Sequence, residues 1–356
     1  MKLRNRLLTL HGFVGILGGL LLVVMGLTGS AIVFHQEIDR TLNPHLMQVV
    51  PQGERVAIAT FFSSAQAAIP NARLESIQFP QTPDATYHLG FKSGKQTWQE
   101  MFIHPYTGKI LGIRQSGRTL ISILYAIHHD FSAGTVGLYL VGISGLILIL
   151  QAITGLILWT GWRKLATGFR IRWGAPTQLL NFDLHNVGGA IANLFLLMIG
   201  LTGVVIVIAH IVLDPHHEAQ IFPPFQPAIA INELLQTADN SIPDGTTTSV
   251  SFPDAQKMVV MKKLPQDHPR LYFSSVTVDG ATGNVLQVNK VVEKPLMWKF
   301  LTPIVDLHFG SFGGLPTRIL YVFIGFMPLM LLITGVIMWK RRRLKSKREE
   351  MIVVHR

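Results

Sequence analysis

The chain has 356 residues, is 49% hydrophobic and only 14% charged, carries a net charge of +11 and contains no cysteine. The missing thiols exclude disulfides, thiolate-held zinc, iron–sulfur clusters and covalently attached haem, so any metal centre must rest on histidine, carboxylate or methionine. The charge does not signal nucleic acid: segments 1–6, 160–184 and 340–356 hold 15 of the 31 Lys and Arg and 3 of the 20 Asp and Glu, a balance of +12, and the rest of the chain carries −1.

In chain order, four apolar runs of spanning length stand out at Leu7–Phe34, Thr135–Trp159, Val187–Leu213 and Leu315–Trp339. Each is long enough to cross a hydrocarbon core of roughly 30 Å as a helix. The first run is far longer than the roughly 7–15 apolar residues of a signal peptide and has no A-x-A site after it, which predicts an uncleaved helix. Basic residues beside alternate helix ends follow the positive-inside pattern. The expected topology puts both termini and the 160–184 loop in the cytoplasm and two long inserts outside.

The first insert has an amphipathic helix pattern at Val56–Ile69, then alternating strand-like runs at Ala72–Phe79, Thr86–Phe91, Thr97–His104 and Lys109–Arg114, with Thr107-Gly108 in the last turn. The second repeats the plan, with a helix at Ala230–Ala238 and runs at Ser249–Phe252, Lys257–Lys262, Leu271–Val278 and Asn284–Val291. Glycine in these turns supplies the positive φ a tight reversal needs. Two apolar segments, Leu120–Phe131 and Leu296–Phe309, precede the even helices as interfacial or re-entrant stretches. The predicted fold class is a membrane α-helical protein with four transmembrane helices in a duplicated two-helix unit and two outward α+β modules. Its segments are helix 1 at 1–35, module 1 at 36–118, an interfacial stretch and helix 2 at 119–160, and a cytoplasmic loop at 161–184. Helix 3 follows at 185–213, module 2 at 214–303, helix 4 at 304–340 and a basic tail at 341–356.

The duplication is read from landmarks. His11 and Leu27-Thr28-Gly29 recur as His185 and Leu201-Thr202-Gly203 with an offset of 174, and Thr107-Gly108 as Thr282-Gly283 with an offset of 175. His128, Thr154-Gly155 and Trp159 recur as His308, Thr334-Gly335 and Trp339 with an offset of 180. Such a near-constant offset is the signature of an internal repeat. Ionisable groups at membrane depth are costly and usually functional, so four repeated histidines outweigh the bland reading of interfacial residues bonded to headgroups. A parallel repeat brings equivalent residues together across an axis along the membrane normal. That arrangement predicts two planar metal macrocycles, an inner one between His11 and His185 and an outer one between His128 and His308, each with axial imidazoles. His35 and His210 form a second-tier pair for the outer site, and mixed ligation stays open. Gly15, Gly18 and Gly29 fall within roughly 40° of His11 around the helix, and Gly189 and Gly203 near His185, as space for a macrocycle edge or for helix packing. Asp130 and Asp306 are candidates to orient the outer imidazoles. Trp159, Trp162, Trp298 and Trp339 fit an interfacial aromatic belt. His45, His88, His104, His216, His217, His268 and His355 read as solvated, with His216-His217 a candidate substrate contact.

The sequence resembles the PepSY-associated transmembrane family. The likeness rests on His11-x-x-x-Gly15, Leu27-Thr28-Gly29, Glu37-Ile38-Asp39-Arg40-x-Leu42-Asn43-Pro44, the strand turns with Thr-Gly, Ile127-His128-His129-Asp130-Phe131 and the Thr-Gly…Trp ending of the even helices. It departs in the second half, which has only Leu213-Asp214-Pro215 for the Glu-x-Asp-Arg stretch and His308-Phe309-Gly310 for His-His-Asp. The resemblance implies PepSY modules in the periplasm of a bacterial inner-membrane protein. It also implies similarity to iron-regulated proteins and ferric-siderophore reductases with two haem b groups. The expected reaction takes an electron from an unknown donor, a quinone or a cytoplasmic reductase, to a ferric siderophore or other ferric chelate. Iron would be released as Fe(II). No G-x-G-x-x-G follows a strand, which places any nucleotide or flavin site of the donor outside this chain. The competing reading is a non-enzymatic anchored protein that restrains a periplasmic protease or binds another partner. Transport is disfavoured, because four helices leave little room for alternating access and only Pro328 interrupts one near mid-membrane.

Overall fold

The computed structural model describes residues 2–93, 97–213, 223–265, 274–291 and 296–354. Eleven helices and eight strands follow one another among these residues. They are α1 (Lys2–Ile32), α2 (His35–Leu42), α3 (Pro44–Met47), α4 (Ala59–Ala68), β1 (Ala72–Gln78), β2 (Tyr87–Ser93), β3 (Thr97–Ile103) and β4 (Ile110–Gln115). Next come α5 (Leu120–Asp130), α6 (Gly134–Leu158), α7 (Leu165–Gly168), α8 (Thr177–Leu213) and α9 (Ile231–Ser241). The chain closes with β5 (Thr246–Ser251), β6 (Lys257–Lys263), β7 (Ser274–Asp279), β8 (Val285–Asn289), α10 (Leu296–Phe309) and α11 (Leu315–Val354). They divide into a helical unit drawn from 1–35, 124–215 and 303–356, and a sheet unit drawn from 36–123 and 216–302.

In the helical unit, α1, α6, α8 and α11 are each long and apolar enough to cross a membrane. They are hydrophobic on every side, so there is no solvent face, and leucines such as Leu17, Leu20 and Leu194 stand exposed on the outside. Water-driven burial cannot hold such helices together, and small residues let them approach instead. A β-carbon on Gly26 of α1 would lie 2.3 Å from the carbonyl oxygen of Gly325 on α11. Beside that crossing the Ser30 hydroxyl donates to the Val322 carbonyl at 3.0 Å. Gly145 and Gly200 allow the same approach between α6 and α8.

Two helices outrun their apolar stretches. The α8 helix starts at Thr177, well ahead of Val187. In that extension Asn181 donates to the Thr334 carbonyl at 3.0 Å, and Asp183 takes Arg172 through two oxygens. Beyond Trp339, α11 continues through the basic run, because Lys, Arg and Glu are good helix formers and nothing there breaks the helix. The two apolar segments ahead of the even spans are helices α5 and α10. Each reverses tightly into the next helix, through positive φ at Phe131, Ser132 and Gly134 in one case and at Gly310 and Gly314 in the other. At Gly310 no side chain would fit, since a β-carbon would sit 2.4 Å from the Tyr321 ring.

In the sheet unit the two predicted modules share one antiparallel sheet, ordered β4-β3-β2-β1-β5-β6-β7-β8. The join is β1 against β5, with Ile77 opposite Val250. Burial alternates along β2, β6 and β7, as a sheet covered on one face requires. On that face Phe61, Phe91, Leu234, Phe252 and Val276 form a single core fed by α4 and α9. The Asp39-Arg40-x-Leu42-Asn43-Pro44 stretch forms α2 and opens α3. Asp39 takes Arg114 of β4 in a two-pronged ion pair at 2.8 and 2.6 Å, and Asn43 donates to Asp39 at 2.8 Å. Arg114 also reaches Glu100 of β3 at 2.5 Å. Burial raises the pKa of Glu100, but His88 and Arg114 together pull it down to about 2. Of the two, Arg114 holds it more firmly, because His88 stands 3.5 Å away, at the outer limit of a hydrogen bond. His88 is therefore stacked on Phe102 beside Glu100 rather than freely solvated.

Candidate functional site

The helical unit brings the four histidines together in two pairs. The rings of His11 on α1 and His185 on α8 lie 6.3 Å apart between centres and are crossed at 89°. Those of His128 on α5 and His308 on α10 also lie 6.3 Å apart, crossed at 49°. Between His11 and Thr28, which touches His128, α1 advances about 26 Å. The two pairs thus sit near opposite ends of the bundle.

Each imidazole is anchored by a threonine. Nδ1 of His11 meets Thr154 Oγ1 at 2.8 Å, and Nδ1 of His185 meets Thr334 Oγ1 at 2.8 Å. Nδ1 of His128 meets Thr28 Oγ1 at 3.1 Å, and Nδ1 of His308 meets Thr202 Oγ1 at 3.1 Å. All four hydroxyls already donate to the carbonyl one turn back, at 2.7–2.8 Å. A hydroxyl has one proton to give, so towards the histidine each oxygen accepts and Nδ1 carries the hydrogen. Nε2 is then an unprotonated lone pair.

The glycine after each threonine faces the ring, closely at Gly29 and Gly203 and at ordinary contact at Gly155 and Gly335. A β-carbon would come 2.9 Å from His128 Cε1 at Gly29, 3.1 Å from His308 at Gly203, 3.4 Å from His11 at Gly155 and 3.6 Å from His185 at Gly335. This revises the expected glycine face. Gly15 lies against Gln151, Gly18 against Ile147 and Gly189 against Leu331, so these three serve helix packing. Gly29 and Gly203 lie on the predicted face but about 27 Å further along the helix, beside the other imidazole pair.

Other candidates are placed differently. His35 Nδ1 bonds the Ile32 carbonyl at 2.9 Å, and His210 lies edge-on to His129, so the two are not brought together. Asp130 stands 3.6 Å from His129 Nδ1, and Asp306 accepts from Ser311 Oγ. Neither carboxylate orients His128 or His308, because threonine holds both Nδ1 atoms. Trp159 packs against Trp162 and Phe169 over Gly161 and Gly168, and Trp339 lies under the Arg343 guanidinium. His104 Nδ1 accepts from the Tyr106 amide in its turn, and His45 is exposed. His216, His217, His268 and His355 lie outside the described residues, as do residues 271–273 of the predicted Leu271–Val278 run and the side chain of Trp298. In the sheet unit a cleft of about 490 Å³ is lined by Asp39, Asn43, Arg114, Arg118 and Thr119.

The donor set limits what these pairs could hold. Among the described residues no three His, Asp or Glu side chains gather around one point, so each pair offers two ligands only. A metal–nitrogen bond of about 2 Å, with about 1.1 Å from nitrogen to ring centre, puts two trans imidazoles about 6.2 Å apart. The observed 6.3 Å matches that span in both pairs. Two imidazoles at that span would fit a metal whose other ligands come from a bound group and not from the protein.

The threonines are the residues that sequence reasoning underread. Their signal was present as the four Thr-Gly landmarks of the repeat, which marked register and not chemistry. The sequence profile of the PepSY-associated TM region matches residues 8–342. No curated protein matches the chain.

Proposed function

The chain belongs to the family of PepSY-associated transmembrane regions, and from that premise and its two imidazole pairs we propose that it is a di-haem b oxidoreductase of the bacterial inner membrane. It takes electrons from a quinone or cytoplasmic reductase on the inner side and reduces a ferric chelate, a ferric siderophore foremost, at the periplasmic face. The observation that carries this reading is the recurrence of one arrangement at both ends of the bundle, 6.3 Å between rings with every Nδ1 turned to a threonine hydroxyl. Haem, when bound, supplies one-electron chemistry that no side chain of this cysteine-free protein provides. His11 and His185 would hold the inner group, and His128 and His308 the outer one. Two imidazoles leave the metal no open position, which suits electron transfer and not oxygen binding. Hard chelators grip Fe(III) far more tightly than Fe(II), so a one-electron reduction releases the metal.

The finer architecture belongs to the same reading. A two-helix unit occurs twice, each copy supplying one histidine and one threonine to each end, and the basic segments keep both termini and the 160–184 loop cytoplasmic. Both PepSY-like modules then lie in the periplasm, where Arg118 in the sheet-unit cleft offers a cation to an anionic chelate. The test is a reduced-minus-oxidised spectrum of protein purified from haem-replete cells, with haem and iron counted. Two haems per chain with low-spin b-type bands are expected. A colourless, iron-free preparation sinks the proposal and leaves the partner-binding reading.

A further inference from the structure

Each of the four paired imidazoles turns Nδ1 to a threonine hydroxyl that also donates to its own helix one turn back. We propose that Thr28, Thr154, Thr202 and Thr334 are the positioning residues of the two centres. They fix the Nδ1–H tautomer and the rotation of each imidazole, and so make the centres electronically unlike. This inference rests on the haem-binding reading and adds to it which residues set the electronic state of each centre.

Three observations support the assignment. First, a threonine inside an apolar helix needs only its own carbonyl one turn back, and each of these four has that bond. The further contact to histidine therefore uses the oxygen's spare acceptor capacity, and it recurs at all four sites. Second, the residue after each threonine is a glycine facing the ring, and at Gly29 and Gly203 a β-carbon would crowd the imidazole, at 2.9 and 3.1 Å, so there threonine and glycine act as a two-residue seat. Third, the seats differ between the ends. The His11–His185 contacts are 2.8 Å long with ring planes at 89°, whereas the His128–His308 contacts are 3.1 Å with planes at 49°.

The electronic consequence follows from general ligand-field reasoning. Donation from Nδ1–H to an acceptor raises the basicity of Nε2, as partners behind a metal-bound histidine do elsewhere. That favours the oxidised metal. Planes at right angles make the two metal orbitals that overlap the imidazoles nearly equal in energy, while a smaller angle separates them. The inner centre should therefore give the more anisotropic low-spin ferric signal in electron paramagnetic resonance. A hydroxyl carries no charge, so it orients the ring without drawing the proton off Nδ1.

The experiment compares wild type with Thr154→Val, Thr334→Val, Thr28→Val, Thr202→Val and the matching Thr→Ser variants in the full chain. Haem count, paramagnetic resonance and redox titration are read for each. Wild type should show two distinct low-spin signals, the broader from the inner centre. Thr154→Val or Thr334→Val should alter that signal alone and raise its potential. Thr28→Val or Thr202→Val should do the same to the other signal, and serine should restore wild-type values in each case. Valine variants that keep both haems with unchanged signals and potentials overturn the proposal. If valine loses a haem, serine decides: retention with a normal signal supports a role for the hydroxyl, and loss with serine too refutes it. Should wild type bind no haem, the functional reading fails, and the threonine assignment is judged separately by nitrogen-15 spectra of the histidines. A single Nδ1–H form in wild type that becomes mixed in the valine variants then supports it, and an unchanged pattern overturns it.

Discussion

At the scale of single residues, the Thr-Gly seats make sharp distinctions between positions that look alike in sequence. Gly29 and Gly335 both follow a threonine and both face an imidazole, but at different clearances, 2.9 Å and 3.6 Å to an added β-carbon. The first is closer than real β-carbons come to their neighbours, and the second is ordinary contact. Gly29→Ala must push His128 off its seat or strain the helix, at a cost of about 1–3 kcal/mol. Gly335→Ala should be tolerated. The expected outcome is loss or spectral disturbance of the outer centre in Gly29→Ala and a normal spectrum in Gly335→Ala. Equal behaviour of the two would mean that clearance at the ring does not matter.

Elements obey two different rules in the two units. Between apolar helices, contact depends on backbones meeting where side chains are absent. Gly26→Leu would force α1 and α11 apart at the Gly325 carbonyl, whereas nothing lies within 4 Å of a β-carbon at Gly12. A marked fall in the unfolding temperature in detergent is expected for Gly26→Leu. Little change, or slight stabilisation from better helix propensity, is expected for Gly12→Ala. In the sheet unit, charge pairing matters as well. Glu100 is held at about 2, below its ordinary 4.5, so its contribution is fully present above 4.5 and is lost as pH falls through about 2. By linkage that contribution is about 3 kcal/mol at most. Glu100→Gln should therefore lower stability at neutral pH and converge on wild type near pH 2, as followed by thermal unfolding across pH. Length and hydropathy made the four spans legible in the sequence, and alternation made the strands legible. The β1–β5 join was not legible, because it pairs residues over 170 positions apart and neither strand carries a turn that fixes its partner. The start of α8 was hidden for a related reason, since residues 177–184 interrupt the apolar run and are tied down as helix through Asp183 to Arg172 and Asn181 to Thr334. The glycine face failed by depth: angular periodicity places Gly29 beside His11, and only the helical rise puts it with His128.

For the molecule as a whole, each imidazole pair joins an early histidine to a late one, His11 to His185 and His128 to His308. His11→Ala and His185→Ala should therefore abolish the same one of two haems, and His128→Ala and His308→Ala the other, which haem counts and spectra of the four variants would reveal. Loss of different centres within a pair would contradict the pairing. The order of synthesis matters too. The second pair is complete once α10 has emerged, because His308 meets Thr202 behind it. The first waits for Thr334 in α11 to settle beside His185. Nascent chains stopped before α10 have every early ligand and no finished clamp. The two ends are thus finished in sequence, the His128–His308 pair with α10 and the His11–His185 pair only when α11 has entered the bundle.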